Sequence, residues 1–498
     1  MSLGISMLGT ELGSGTGGTS LGNGNGGMFT GTGSVVSASS DATGRLGSAP
    51  QAATASASTT DTNSTPRRPV CPVPIIIRPT LRLIDEAITG RTRTLISPNC
   101  HRDPPGQRHD TGNLVAVGGS GGFRVEAMLP VVWLGGTAGV GKSTVGWQVR
   151  ADLAAVGVTA AFVDSDQLRL AATGASETEL IAKSLRALDP GYRDAGAELV
   201  VIAGLADGRA HLRTLLPDVE PADVLACHLH ADDAAIRDRI RRRGWQVDLT
   251  NRAIEYAARI DRGWADLGID TSSLSPQHVA ETVSQAALAH LQRADRRASR
   301  HTVACADGPT MASLPDRVLL VAGPGGVGTS TVGYQIYTQL ATSGHRAGYL
   351  DLHQLGFVGA DPRGDRLASL RSRNALAVAA TLAETGIDTV VVTADLITAA
   401  AVFKTSHWRE AHVAVFELYA SPSTIAERIR MRAQGHAPPI AGDHRRGLSG
   451  HALEESIAAS LAEASQHRFR ITGAHRISAD AAKAATTAAA IISAAGLS

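Results

Sequence analysis

The sequence is short of cysteine, aromatic residues and net charge, and each shortage closes off a class of function. Its four cysteines, Cys71, Cys100, Cys227 and Cys305, stand far apart and form no C-x-x-C pair. That spacing excludes a disulfide framework and a thiolate zinc site, and fits reduced thiols in the cytoplasm. Phe, Trp and Tyr make up 4% of the chain, too few for the aromatic platforms that stack single-stranded nucleic acid. A formal net charge of +1 over 498 residues creates no field to gather nucleic acid or an acidic surface. No apolar run approaches the roughly 20 residues of a membrane helix. The N-terminus lacks the basic stretch and apolar core of a secretory signal. The expected setting is cytoplasmic, with neither a nucleic-acid nor a membrane partner.

Large apolar residues are also scarce in the first 70 or so positions, where Gly, Ser, Thr and Ala dominate. Such a segment cannot bury enough surface to offset its chain entropy. Between 71 and 127, Ile75-Ile76-Ile77 fits a strand, but Pro104-Pro105-Gly106 and Gly118-Gly119-Ser120-Gly121-Gly122 break the pattern. Residues 1–127 are therefore expected to be a disordered, low-complexity arm. Met128 stands just before the first apolar strand and fits a translation start. An N-terminal peptide from 1–127 in the native protein would overturn that start.

What the chain does contain is a phosphate loop. Gly136-Thr137-Ala138-Gly139-Val140-Gly141-Lys142-Ser143-Thr144 fits G-x-x-x-x-G-K-[ST]. The apolar run Val131-Val132-Trp133-Leu134 precedes it, and a helical pattern over 144–156 follows. Glycines at 136, 139 and 141 let main-chain N–H groups converge on phosphate oxygens, and the helix N-terminus adds its dipole. Lys142 would reach the β- and γ-phosphates and the Ser143 hydroxyl would hold Mg²⁺, so ATP and Mg²⁺ are the expected cofactors.

The motif recurs in damaged form. Gly323-Pro324-Gly325-Gly326-Val327-Gly328-Thr329-Ser330-Thr331 repeats the loop with Thr329 in the lysine place, at an offset of 329 − 142 = 187. Phe162-Val163-Asp164-Ser165-Asp166-Gln167-Leu168 meets Tyr349-Leu350-Asp351-Leu352-His353-Gln354-Leu355 at the same offset. Two copies of one domain are expected, at 128–300 and 315–498, with 301–314 as linker. In the first copy, short apolar strands are expected at 131–135, 159–164, 198–203 and 223–230. Helices are expected at 144–156, 178–194, 208–216, 232–243, 249–266 and 277–291. Alternating strand and helix signals indicate α/β domains, each a parallel sheet covered by helices.

The acids Asp164 and Asp166 follow the second strand, where ligands sit in an open α/β sheet. One suits Mg²⁺ and the other suits a proton from a substrate hydroxyl; the plainer alternative is a helix cap, with Asp166 satisfying main-chain N–H groups. Arg237, Arg239, Arg241, Arg242 and Arg243 crowd one helix. Arg239 and Arg243 share a face and suit a charge clamp on phosphate, against the plainer reading of a solvated face. The third strand ends in Ala203-Gly204, without the acid that a motor ATPase uses for Mg²⁺. Cys227-His228-Leu229-His230 lacks a full set of metal ligands.

The glycine loop together with D-S-D-Q at 164–167 resembles the small-molecule P-loop kinases: shikimate, gluconate and adenylylsulfate kinases. The resemblance covers about 131–290 and, more weakly, the second copy. It implies a P-loop NTPase fold of kinase type and roles for the acid pair in handling Mg²⁺ or acceptor. The acceptor-binding arginine and glycine motifs of shikimate kinase are absent, so the small-molecule acceptor stays unknown. The repeated pattern also looks like tandem ATPase-like proteins of the AAA or nucleotide-kinase class. The leading expectation is a phosphotransferase acting through the first copy, with Lys142, Asp164, Asp166, Arg239 and Arg243 at the chemistry and Ser143 and Asp164 at the metal. The alternative is a nucleotide-gated regulatory or scaffold ATPase without a small acceptor. In the second copy Thr329 and His353 replace a lysine and an acid, which predicts an inactive domain: either a weak nucleotide binder or a structural partner.

Overall fold

The computed structural model describes residues 128–498, except 245–246, 299–312, 361–364, 405–407, 409–411, 437–439, 467–470, 481 and 498. The arm at 1–127 and nearly all of the expected linker lie outside the described residues, as do Cys71, Cys100 and Cys305.

Apolar runs form the strands of the first sheet: β1 (Val131–Gly135), β2 (Ala160–Asp164), β3 (Leu199–Ala203), β4 (Val224–His230) and β5 (Leu267–Asp270). Between them run α1 (Lys142–Ala155), α2 (Glu177–Asp194), α3 (Arg209–Leu215), α4 (Asp233–Arg243) and α5 (Thr250–Arg259), and α6 (Pro276–Ala298) follows β5. These five strands are parallel, in the order β5-β4-β1-β3-β2. Side chains alternate across a strand. Val132 and Leu134 of β1 therefore pack among the apolar residues of α1 and α6, while Val131 and Trp133 face those of α2 and α3. Covering both faces is what a parallel sheet of apolar strands requires.

The second sheet holds β6 (Arg317–Ala322), β7 (Ala347–Asp351), β9 (Thr389–Ala394), β10 (His412–Tyr419) and β11 (His475–Ser478), all parallel, in the order β11-β10-β6-β9-β7. Taken in chain order, that is the strand order of the first sheet. Its helices are α7 (Thr329–Thr342), α8 (Asp365–Glu384), α9 (Leu396–Lys404), α10 (Pro422–Ala433), α11 (Gly450–Ser465) and α12 (Ala484–Ala494). The short strand β8 (Phe357–Val358) belongs to neither set of five.

β8 leaves the second half and pairs antiparallel with β2, the edge of the first sheet, at Ala161↔Val358 and Phe162↔Phe357. The first half returns the contact. Ala171 bridges Gly348 of β7, Tyr349 N donates to Leu170 O at 2.8 Å, and Ala172 N donates to Ala347 O at 2.7 Å. Phe357 stands 187 positions after Leu170 (357 − 170), so matching segments cap each other's sheet edges. Unpaired strand edges invite aggregation, and this exchange covers one edge of each sheet.

A shared core lies behind the exchange. Leu185, Leu188 and Tyr192 of α2 join Leu370, Val378 and Leu382 of α8 in a single buried cluster. Gly191 allows the close approach, since a Cβ there would stand 2.0 Å from Asn374 Oδ1. Tyr192 and Asn374 both donate to Leu355 O, at 3.2 and 2.6 Å. Among the described residues no helix is long and apolar enough to cross a membrane.

Candidate functional site

The glycine loop joins β1 to α1, as its flanking sequence predicts. Gly136 has φ +135°, and a Cβ there would lie 2.2 Å from Leu229 O. No other residue lets the loop pass so close to β4. Gly141 caps α1 in the left-handed conformation. Thr137 donates its hydroxyl to Ala253 O at 2.8 Å and so ties the loop to α5.

The charged side chains converge on this loop. Ser143 Oγ donates to Asp164 Oδ2 at 2.6 Å, and Lys142 Nζ donates to Thr137 O at 3.1 Å. Burial lowers the Lys142 pKa, while the Asp166 and Asp164 carboxylates oppose that shift. Burial, then the neighbouring Asp166 charge, pushes the Asp164 pKa up to about 6, against the Ser143 hydrogen bond and Lys142. Asp164 also accepts from Asp166 N at 3.2 Å and starts the short helical turn 165–167. Capping was the alternative role expected of Asp166; it falls to Asp164 instead. The Asp166 carboxylate is left to line the cavity and stands 3.2 Å from Arg169 Nε.

The arginine helix divides its work. Arg239 spends its guanidinium on the main chain, donating to Gly139 O at 3.4 Å and to Thr271 O, and on Thr271 Oγ1 at 2.9 Å. It ties the glycine loop to the turn after β5. Arg428 does the same in the second half, donating to Val327 O at 2.6 Å and to Ala479 O at 2.5 Å. The expected clamp role thus meets a structural use at Arg239, repeated where no lysine remains in the loop. Arg242 pairs with Asp238 at the surface. Arg243 lines the cavity within electrostatic reach of Lys142 and Asp166.

A cavity of about 1010 Å³ opens on Ala138 to Val145, Asp166, Arg243 and the turn 271–276. Its wall also includes Ile440, Ala441, Gly442, Asp443 and Arg446 of the second half. The missing acid at the end of β3 has a steric reason. A Cβ at Gly204 would lie 2.4 Å from Ser165 Oγ and 2.7 Å from the Trp133 ring, so no carboxylate fits. Along Cys227-His228-Leu229-His230, burial pushes the Cys227 thiol up to about 12, and the His228 ring packs on Trp264 at 5.8 Å. Among the described residues no cluster of three or more His, Cys, Asp or Glu side chains could hold a metal.

The second glycine loop is built alike, but a carboxylate of the chain meets it. Glu463 of α11 accepts from Gly325 N and from Leu396 N, both at 3.0 Å. A carboxylate of the chain therefore takes a main-chain N–H of that loop. Arg445 reaches the same place, donating to Ser460 Oγ at 3.1 Å. His353 pairs with Asp395 at 3.0 Å. Burial works against the Asp395 carboxylate, yet His353, the Thr398 N–H and Arg371 hold its pKa well below the usual range. Asp395 also caps α9 through Thr398 N at 2.7 Å.

No protein-family model matches the chain, and no curated protein matches it. Solved structures do resemble it over about a third of its length. A gluconokinase from Sinorhizobium meliloti is 19% identical, covers 35% of this chain and 98% of its own, and superposes with a TM-score of 0.24. The APS kinase of Mycobacterium tuberculosis is 21% identical over 34% of this chain and 99% of its own, with a TM-score of 0.25. The tunicamycin resistance protein of Deinococcus radiodurans is 15% identical over 36% and 97%, with a TM-score of 0.23. Likeness this distant carries no argument about chemistry, which rests on the residues.

Sequence reading missed Arg169, Thr137 as a tether, Glu463 and the loop 440–446. Arg169 could have been found, three positions beyond Asp166. Glu463 could not, since 138 residues separate it from the N–H it meets.

Proposed function

We propose that the first half of the chain is an ATP- and Mg²⁺-dependent phosphotransferase acting on a small hydroxyl- or phosphate-bearing molecule. The observation that carries this reading is the Ser143 hydroxyl set 2.6 Å from the Asp164 carboxylate, beside Lys142 and at the start of a phosphate-loop helix. Two hard oxygen donors at one point fit Mg²⁺, which takes one or two protein ligands and completes its shell with water and phosphate oxygens. Ser143 and Asp164 would hold that ion, and it would neutralise charge between the terminal phosphates. Lys142 would leave Thr137 O for the transferred phosphate. Asp166, the acid that faces the cavity, would take the proton of an acceptor hydroxyl as that oxygen bonds to the terminal phosphorus and the bond to the ADP oxygen breaks. Arg243 would steady charge on the moving group.

We read the whole chain as two copies of one P-loop domain. The matching strand order, the reciprocal edge pairing and the shared arginine staple support that reading. In the second copy Glu463 takes the place of a bound anion, which favours a structural partner over a second nucleotide site.

The deciding experiment mixes the protein with ATP, Mg²⁺ and a panel of metabolites and follows ADP. Release that depends on an acceptor supports the transferase. Slow release indifferent to every acceptor would turn the reading to a nucleotide-gated regulatory protein. No ATP binding at all would overturn both.

A further inference from the structure

The intact site is walled partly by the other half of the chain. Residues 440–443 line both the first cavity and a smaller one of about 380 Å³ over the second loop. The sharing runs one way, for only residues from Gly323 onward line the second cavity. Five second-half residues enter the first, and Arg446 is the cation among them.

The segment that carries Arg446 is held from several directions. Gly442 has φ +70°, and a Cβ there would stand 2.8 Å from the Phe357 ring and 2.9 Å from the Trp147 ring. Phe357 is itself fixed by β8 pairing and by an edge contact with Trp147 at 4.8 Å. Gln354 Nε2 donates to Ala441 O at 3.2 Å. Asp443 receives Arg432 Nε at 2.9 Å and Arg445 N at 3.2 Å. Arg446, by contrast, is exposed and has no hydrogen-bond or ion-pair partner among the described residues. A fixed loop that leaves a guanidinium unpaired at the mouth of a cavity holding Lys142 and Arg243 suits an anionic ligand.

We propose that Arg446 is a phosphate-contacting residue of the first site, delivered by the second half, with the polyphosphate of a nucleoside triphosphate as its partner. This rests on reading the first cavity as the ATP site. It gives the second half a purpose that needs no nucleotide of its own.

The test measures ATP and Mg²⁺ binding to the full chain by calorimetry. Charge-assisted, bidentate contacts are the strong ones, so Arg446→Ala should weaken ATP by about 10–100-fold and Arg446→Lys by less. Arg430→Ala removes an equal charge from an exposed pair with Glu454 and should leave binding unchanged. If wild type binds ATP and Arg446→Ala binds it equally well, Arg446 has no such role, while the ATP site stands. If Arg430→Ala weakens binding as much, the effect is general charge and the assignment fails. If wild type binds no ATP, the underlying reading fails first.

Discussion

The two glycine loops of this chain have similar backbones and different surroundings. The first is open: Lys142 and Ser143 face a cavity of about 1010 Å³. The second opens on a smaller cavity of about 380 Å³, with the Glu463 carboxylate of α11 on Gly325 N and Thr329 where the lysine would be. The glycines alone do not make a nucleotide site. Loop geometry supplies N–H donors, but a free donor and a cation are both needed before an outside anion gains by binding. In the second loop an internal carboxylate has satisfied the Gly325 donor, so an incoming phosphate would have to displace it there. The exchanged strand and the α8 face of the second half nevertheless complete the first half.

The sharpest way to break this contrast is at the lysine place. Lys142→Ala should abolish ATP binding in calorimetry, and Thr329→Ala should change little. Equal losses would mean that both loops bind nucleotide and that the division is wrong. Thr329→Lys alone should not create a second site, because Glu463 stays in the loop; two ATP molecules per chain in that variant would contradict this.

The acids come next. An Asn still accepts hydrogen bonds and caps nearly as well as Asp, so Asp164→Asn and Asp166→Asn should shift stability by about 1 kcal/mol or less. Asn cannot take a proton at neutral pH. Turnover should fall by roughly 10²–10⁴ at whichever acid is the base, with ATP binding largely kept at Asp166→Asn. Variants that retain full activity would leave both acids structural.

Dependence of the first half on the second is tested at Phe357. This ring lies in the second half by sequence, yet packs on Trp147 and Phe162 of the first, with centroids 4.8 and 6.2 Å away. Phe357→Ala should cost about 3–5 kcal/mol in chemical denaturation. A loss below 1 kcal/mol would show that the halves do not rely on the exchanged edges.

Removing the internal anion has a smaller effect. Glu463→Ala leaves Gly325 N and Leu396 N without their acceptor, at about 1–3 kcal/mol. Added phosphate should recover part of that loss by raising the melting temperature of the variant more than that of wild type. No difference between them would mean that the loop has lost its hold on anions for another reason.

The mildest prediction concerns pH. Asp164 titrates near 6 in the folded protein, above its ordinary value. Its contribution to stability is therefore fully present below about pH 4 and is lost as pH rises through about 6. The ligand-free protein should melt lower at pH 7 than at pH 5 by a margin that Asp164→Asn removes. Binding of ATP with Mg²⁺ needs the ionised carboxylate, so affinity should rise over the same window. An affinity flat from pH 5 to 7.5 would separate Asp164 from the metal.

Residue patterns by themselves determined the local units. Strand, glycine loop and helix at 131–155 follow from an apolar run, residues that tolerate positive φ and a helical period, all within 25 positions. The strands expected at 159–164, 198–203 and 223–230 lie within a residue of β2, β3 and β4. The helix expected over 249–266 stops at Arg259 as α5, where the chain turns toward β5. The meeting of Ser143 with Asp164 was also legible, since the loop after β1 and the end of β2 both lie at the carboxyl edge of one parallel sheet, with β3 between the two strands.

What only the tertiary structure decided were the long-range partners. Arg239 looked like a phosphate clamp because an arginine is written the same whether its guanidinium meets a ligand or Thr271 O. The occupant of the second loop comes from α11, and the far wall of the first cavity comes from residues 440–446. No local period or motif marks either. Such contacts depend on how two sheets pack through α2 and α8, and that packing is set by the summed fit of buried side chains far apart in the sequence. A sequence states which groups can bond; distance in the folded chain decides which of them do.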